Sequence, residues 1–201
     1  MHHSPLMKVI FLDRDGVINK FPGLGGYVTR IKDFHFLPGS LAAIKTLTKQ
    51  GYAIFVISNQ AGVSRGIYTQ KKLAQITAHM LRRISKAGGR IKKIFYCIHT
   101  PDENCGCRKP KIGSIKKAFQ MLRQPLTQAK KSFLIGDAQS DIEAGHKAGC
   151  KTILVLSGKD SRRDVRHWSL KPDFIAKNLL EATQIVTDEN SNHSRLRRGR
   201  A

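Results

Sequence analysis

Six short apolar runs, each followed by a longer polar stretch of helical periodicity, constrain this chain more than any other feature. They are VIFLD (9–13), AIFVIS (53–58), KIFYCI (93–98), SFLIGD (132–137), TILVLS (152–157) and DFIA (173–176). Runs that stay apolar along their length, rather than at alternate positions, suit strands buried on both faces. Between them apolar residues recur at helical spacing over 39–51, 69–89, 113–124 and 140–149, and a final helix is predicted over 178–187. This alternation makes an α/β fold, a doubly wound, mostly parallel sheet with helices on both faces. Ligands of such a sheet bind beyond the carboxyl ends of its strands. No repeat or linker divides the 201 residues. One domain is therefore predicted over 7–187, with disordered ends at 1–6 and 188–201.

No apolar stretch approaches the ~20 residues that span a bilayer. Asp13 and Asp15 interrupt the first run before a signal-peptide core could develop. Both observations predict a cytoplasmic protein with reduced cysteines and no membrane partner. Lys and Arg total 36 against 14 Asp and Glu, a net charge of +22. Such a charge suits nucleic acid, an anionic membrane or phosphorylated substrates. The basic residues are scattered over helical surfaces and a terminal SRLRRGR, without the interleaved aromatics that stack bases. Nucleic acid is thus the lesser expectation.

The strand ends carry acids. Asp13 and Asp15 close the first run, and a spacing of two in an extended chain aims both side chains to one side. The fourth run closes on Gly136 and Asp137, with Asp141 in the first turn of the next helix. Each alone reads as turn chemistry or helix capping by Ser140 or Asp141. Two acid-bearing ends in one sheet read instead as a hard-oxygen cluster of Asp13, Asp15 and Asp137, suited to Mg²⁺ and a substrate phosphate. A carboxylate can attack a phosphoryl group and form an aspartyl-phosphate once a cation neutralises both anions. A second acid can protonate the leaving alcohol and then deprotonate the attacking water. Ser58, ending the second run, offers a hydroxyl to a phosphate oxygen.

Cys97, His99, Cys105 and Cys107 follow the pattern Cys-x-His-x5-Cys-x-Cys. Cys97 alone would read as a core residue. Four N/S ligands in a reducing compartment predict tetrahedral Zn²⁺ in a closed, structural site, since no position is left for a water. Cys150 is expected to be a buried bystander. Arg108 and Lys109 follow the last ligand directly, so the geometry of that loop decides whether they reach a phosphate, the lysine as a point charge and the arginine as a fork.

The segments DRDGVIN, ISNQAG, RKPK and GDAQSD, in this order, resemble the four motifs of the haloacid dehalogenase (HAD) superfamily of phosphatases over about residues 7–187. The resemblance implies a HAD-like Rossmannoid fold, and the spacing of the motifs leaves no room for a large cap domain. Within the superfamily the chain is most similar to a small, zinc-containing branch of D-glycero-D-manno-heptose 1,7-bisphosphate 7-phosphatases and histidinol-phosphatases. That similarity implies Asp13 as nucleophile, Asp15 as general acid/base, and Mg²⁺ on Asp13, the Asp15 backbone carbonyl and Asp137. It also implies Ser58 and Lys109 as phosphate stabilisers and Arg108 as a substrate contact.

Two segments favour the heptose branch. GYVTRIKDFHFLPG resembles its sequence after the first motif, with Gly26 and Tyr27 at sugar-site positions. NQAGVSRGIYT resembles its Asn-Gln-Ser-Gly-x-x-Arg-Gly loop, which adds Asn59 to the substrate-binding residues. The chain departs from the pattern in the insert KFPGLG, which lengthens the first loop, and in Ile98, where the branch usually has proline. The implied function is a monomeric, Mg²⁺-dependent phosphoric monoester hydrolase with structural Zn²⁺. It would remove the 7-phosphate of a heptose bisphosphate on the way to ADP- or GDP-heptose. Alternatives are a histidinol-phosphate phosphatase, a nucleic-acid 3′-phosphatase and, outside enzymes, a zinc-stabilised nucleic-acid-binding module.

Overall fold

The computed structural model of the protein describes residues 7–198, and in it the six apolar runs become six strands. These are β1 (Val9–Leu12), β2 (Ala53–Asn59), β3 (Lys93–Cys97), β4 (Phe133–Gly136), β5 (Lys151–Val155) and β6 (Phe174–Ala176). They form one sheet in the order β3-β2-β1-β4-β5-β6, and every pair is parallel. From β1 the chain winds outward through β2 to β3. It then returns to the other side of β1 and winds outward again from β4 to β6. The strand order therefore reverses between β1 and β4, where a crevice opens beyond the carboxyl ends. Asp13 and Asp137 each follow the last residue of one of these two strands.

Six helices cover the sheet: α1 (Ser40–Lys49), α2 (Gln70–Lys86), α3 (Gly113–Met121), α4 (Gln139–Ala148), α5 (Arg162–Val165) and α6 (Leu179–Arg198). Successive strand residues point to opposite faces, so the apolar runs feed two cores. Ile10, Leu12, Val56 and Ile135 pack on one face with Ile44, Met80 and Val186 of α1, α2 and α6. Phe11, Phe55 and Leu134 pack on the other with Ile115 and Phe119 of α3 and Ala144 of α4. The segments 13–39 and 60–69, which follow β1 and β2 over the crevice, are loops, with only a 3-10 turn at Ile31–Asp33, and no cap domain is built there. No helix among the described residues is long and apolar enough to cross a membrane.

Two expectations change. The last helix continues to Arg198 rather than stopping at 187. Its second half, DENSNHSRLRR, has no apolar stripe from which a helix could be read; at its start Glu189 pairs with Lys151 of β5. The calls on 1–6 and 199–201 lie outside the described residues. The short α5 was not expected, since four residues capped by Ser161 leave no periodicity.

Phe11 is the central packing residue of the second core. It is fully buried, with its ring 5.8 Å from that of Phe55 and 6.0 Å from that of Phe119. Phe11→Ala should cost about 3–5 kcal/mol of folding stability, read as a lower urea midpoint with unchanged slope.

Candidate active site

The site starts where β1 stops. Asp13 still pairs with β4, donating its N–H to the Ile135 carbonyl at 3.0 Å, but the chain then turns. The N–H groups of Ile18 and Asn19 both return to the Arg14 carbonyl, at 2.8 and 3.1 Å. Gly16 turns this corner at φ +83°, and a Cβ there would stand 2.1 Å from Asp137 Oδ2. Gly158, in the loop after β5, meets the same oxygen from the other side, where a Cβ would stand 2.0 Å away. Only two residues without side chains leave room for the Asp137 carboxylate.

Asp13, Asp137 and Asp141 are all buried, and each offers a carboxylate oxygen within 4.8 Å of the others. Lys109 joins them, 6% exposed, with Nζ donating to Asp13 Oδ1 at 2.8 Å, Asp141 Oδ1 at 2.5 Å and the Ile57 carbonyl at 2.9 Å. Burial opposes its charge, but the carboxylates of Asp13 and Asp141 more than offset this and hold its pKa above that of an ordinary lysine. The lysine balances one negative charge of three. Asp137, whose Oδ2 accepts only the Lys159 N–H at 2.7 Å, is pushed up to about 8 by burial and by the charges of Asp13 and Asp141. Three buried oxygen ligands with an excess of negative charge fit a hard divalent cation such as Mg²⁺.

Asp141 was expected only as a cap, and it is one: Oδ2 accepts the Ala138 N–H at 3.2 Å at the start of α4. Its other oxygen holds Lys109, a partner 32 residues away that no local pattern announces. Asp15 departs from expectation in the opposite sense, because its carboxylate is absent from the cluster. The chain has left the extended conformation at Arg14, so the two-residue spacing no longer sets a common direction. Arg14, fully buried, grips Asp15 from Nε at 3.2 Å and from Nη2 at 3.0 and 2.8 Å. Asn19 Nδ2 donates at 2.8 Å and Gln60 Nε2 at 2.7 Å. Gln60 was missed. It sits two residues past Ser58, bonds the Ser58 hydroxyl at 3.2 Å, and is fixed by the Tyr68 hydroxyl at 2.5 Å.

The residues assigned to substrate divide in two. Asn59 clasps the backbone of Lys109: Nδ2 donates to the Lys109 carbonyl at 3.2 Å and Oδ1 accepts its N–H at 3.1 Å. It positions the lysine. Tyr27 packs against Tyr68, rings 5.9 Å apart, and over Gly62, so the first and second loops meet through it. Gly26 closes a turn with its N–H on the Gly23 carbonyl at 3.0 Å. Arg108 Nη1 bonds the His99 carbonyl at 3.3 Å, which holds the arginine on the cysteine loop.

That loop brings Cys97, His99, Cys105 and Cys107 together as expected. The ligand atoms stand 3.4 Å apart for Cys97–Cys105, 3.5 Å for Cys105–Cys107, 3.7 Å for Cys97–His99 and 3.3 Å for His99–Cys107. Thiolate bonds of ~2.3 Å to one tetrahedral zinc imply edges of ~3.5–3.8 Å, and the sulfurs are far too distant for a disulfide. The four residues fit Zn²⁺. Cys150 lies apart, its thiol pushed up to about 12 by burial.

The state of Asp137 gives a sign to the pH dependence. Its folded pKa, about 8, lies above the 3.8 of a free aspartate, so without metal the folded chain binds the extra proton between these values. Metal-free protein should lose stability as pH rises through that window, by up to ~1.4 kcal/mol per unit. Mg²⁺ should restore it at the alkaline end. Thermal melts at pH 5.5 and 8, with and without Mg²⁺, check this; equal melting points in all four would contradict it.

Comparison with known proteins agrees with this geometry. The HAD-hydrolase-like family model matches residues 106–182. D-glycero-beta-D-manno-heptose-1,7-bisphosphate 7-phosphatase of Neisseria meningitidis serogroup A is 36% identical over 187 residues, 92% of this chain and 97% of that protein. The corresponding alpha phosphatase of Photorhabdus laumondii is 38% identical and is covered in full by 92% of this chain. Among solved structures, the D,D-heptose 1,7-bisphosphate phosphatase of B. bronchiseptica, complexed with magnesium and phosphate, superposes with a TM-score of 0.82 at 32% identity, covering 91% of this chain and 99% of that one. Likeness at this level over nearly the full length of both chains shows the family, and the chain belongs to the HAD-like phosphatases of the heptose bisphosphate phosphatase family.

Proposed function

We propose that this chain removes the 7-phosphate of D-glycero-D-manno-heptose 1,7-bisphosphate through an aspartyl-phosphate on Asp13. The observation that carries the reading is Lys109 Nζ, buried and 2.8 Å from Asp13 Oδ1. A fixed cation beside the carboxylate holds it in place for attack, and the same cation meets the incoming phosphate. Asp13 attacks phosphorus as the bond to the C7 oxygen of the sugar breaks and that oxygen takes a proton from Asp15, with Lys109 and the Ser58 hydroxyl holding phosphoryl oxygens and Arg108 reaching over the sugar. Mg²⁺ on Asp13, Asp137 and the Asp15 carbonyl would supply the remaining positive charge that lets two anions approach. Asp15 serves as acid and base. Left as a carboxylate after giving up that proton, and positioned by Arg14, Asn19 and Gln60, it then takes the proton of the water that hydrolyses the aspartyl-phosphate. Zn²⁺ on the cysteine loop fixes the segment that delivers Arg108 and Lys109.

On this reading the partner is a small phosphorylated sugar, met by a monomeric cytoplasmic enzyme, and the net charge of +22 draws in a doubly phosphorylated substrate. The deciding experiment is a panel with Mg²⁺: both anomers of the heptose bisphosphate, histidinol phosphate and a 3′-phosphorylated oligonucleotide. One heptose anomer should be turned over fastest. Hydrolysis of none above a generic phosphate ester would refute the substrate assignment. Asp13→Asn should lower kcat by on the order of 10³-fold or more with unchanged circular dichroism. Chelation of zinc should lower activity by misplacing Arg108 and Lys109, and readdition should recover it; a stripped protein with full activity would overturn the role given to the loop.

A further inference from the structure

A second concave surface lies beside the cysteine loop, whose His99 and Cys107 line part of it. A groove of about 830 Å³ follows β3, the strand at the end of the sheet. Among the described residues nothing pairs with the outer edge of β3, so alternate N–H and C=O groups face outward along it. Helices overhang this edge from both faces of the sheet. On one face the wall is Ala78 and Leu81 of α2, toward which Ile94 and Tyr96 of β3 point; the Tyr96 hydroxyl lies 2.9 Å from Thr77 Oγ1. On the other face the wall is Ser114 and Lys117 of α3, toward which Phe95 points. Lys93 shares the face of Phe95, because side chains two apart on a strand point the same way.

The two sides of the slot therefore differ in chemistry. The α2 side is apolar apart from Gln70 and Thr77, the α3 side carries the exposed ammonium groups of Lys93 and Lys117, Lys92 stands just before the strand, and no acidic residue lines the groove. An edge bearing lysines repels a second copy of a chain of charge +22. It attracts an anionic strand. We propose that the outer edge of β3 docks an extended acidic segment of a partner protein as a seventh strand, its apolar residues alternating with its acids. The backbone ladder would supply affinity, and the alternation would set the register, apolar side chains toward α2 and carboxylates toward Lys93 and Lys117.

The probe is a fluorescein-labelled heptapeptide alternating valine with glutamate, titrated into the zinc-loaded full chain. Saturable binding is expected, with new hydrogen-exchange protection at the amides of β3. Lys93→Glu combined with Lys117→Glu should weaken it at least about tenfold, as should Ala78→Trp, which fills the apolar side. All three positions are exposed, so the fold should survive, and circular dichroism checks that. Peptides of the same composition with the acids in one block, or with a central proline that cannot pair, should not bind. The proposal fails if these controls bind equally, if an oligo-dT of equal charge competes as well as the peptide, if the chain sediments as a dimer that must dissociate before the peptide binds, or if no binding is seen at about 1 mM peptide.

Discussion

The site depends on one buried cation. Lys109 lies among three carboxylates in a place where neither an uncompensated ammonium nor an uncompensated acid would be tolerated. It draws Asp13 and Asp141, which follow different strands, onto one nitrogen and anchors that nitrogen to the Ile57 carbonyl of β2. Three elements of the sheet's carboxyl edge are thereby tied to a loop shaped elsewhere by four metal ligands. The lysine bonds Asp13 and Asp141 directly but not Asp137, whose carboxyl is pushed up to about 8 by burial and by those two acids.

Two separate arrangements hold the two acids of the first motif. Asp13 is governed by long-range charge, through a lysine 96 residues away. Asp15 is governed by its own turn, through Arg14 and Asn19, with Gln60 of the neighbouring loop as the single distant donor. Arg14 in turn lies over the ring of Tyr96 at 5.7 Å, so Asp15 is backed by the edge of the sheet rather than by solvent. Acids two residues apart in sequence thus occupy different electrostatic surroundings, which suits the separate roles proposed for them.

Much of this was legible in the sequence, for a physical reason. Fully apolar runs can only be doubly covered strands, and such strands in a parallel sheet place their terminal acids at one edge, so Asp13 and Asp137 could be paired on paper. Cys97, His99, Cys105 and Cys107 could be grouped because few environments demand that ligand set at that spacing. What could not be read depends on where side chains turn after regular structure ends. The direction of Asp15 is set by a tight turn, the second role of Asp141 by Lys109, and the role of Asn59 by the backbone it clasps. Gly16 and Gly158 look like ordinary turn glycines until Asp137 is seen between them. The second half of α6 carries no apolar stripe, so nothing in its pattern marks where the helix ends.

The reach of Lys109 also bears on how the protein comes into being. The lysine needs Asp13 from the first strand, the Ile57 carbonyl from the second and Asp141 from the helix after the fourth, and Asn59 must hold its backbone. A chain emerging from the ribosome cannot complete this cluster until residue 141 is free and the cysteine loop is shaped. Until then Asp13 lacks its cation and the acids repel one another. The cluster is therefore completed late and all at once, only after every element that feeds it has left the ribosome.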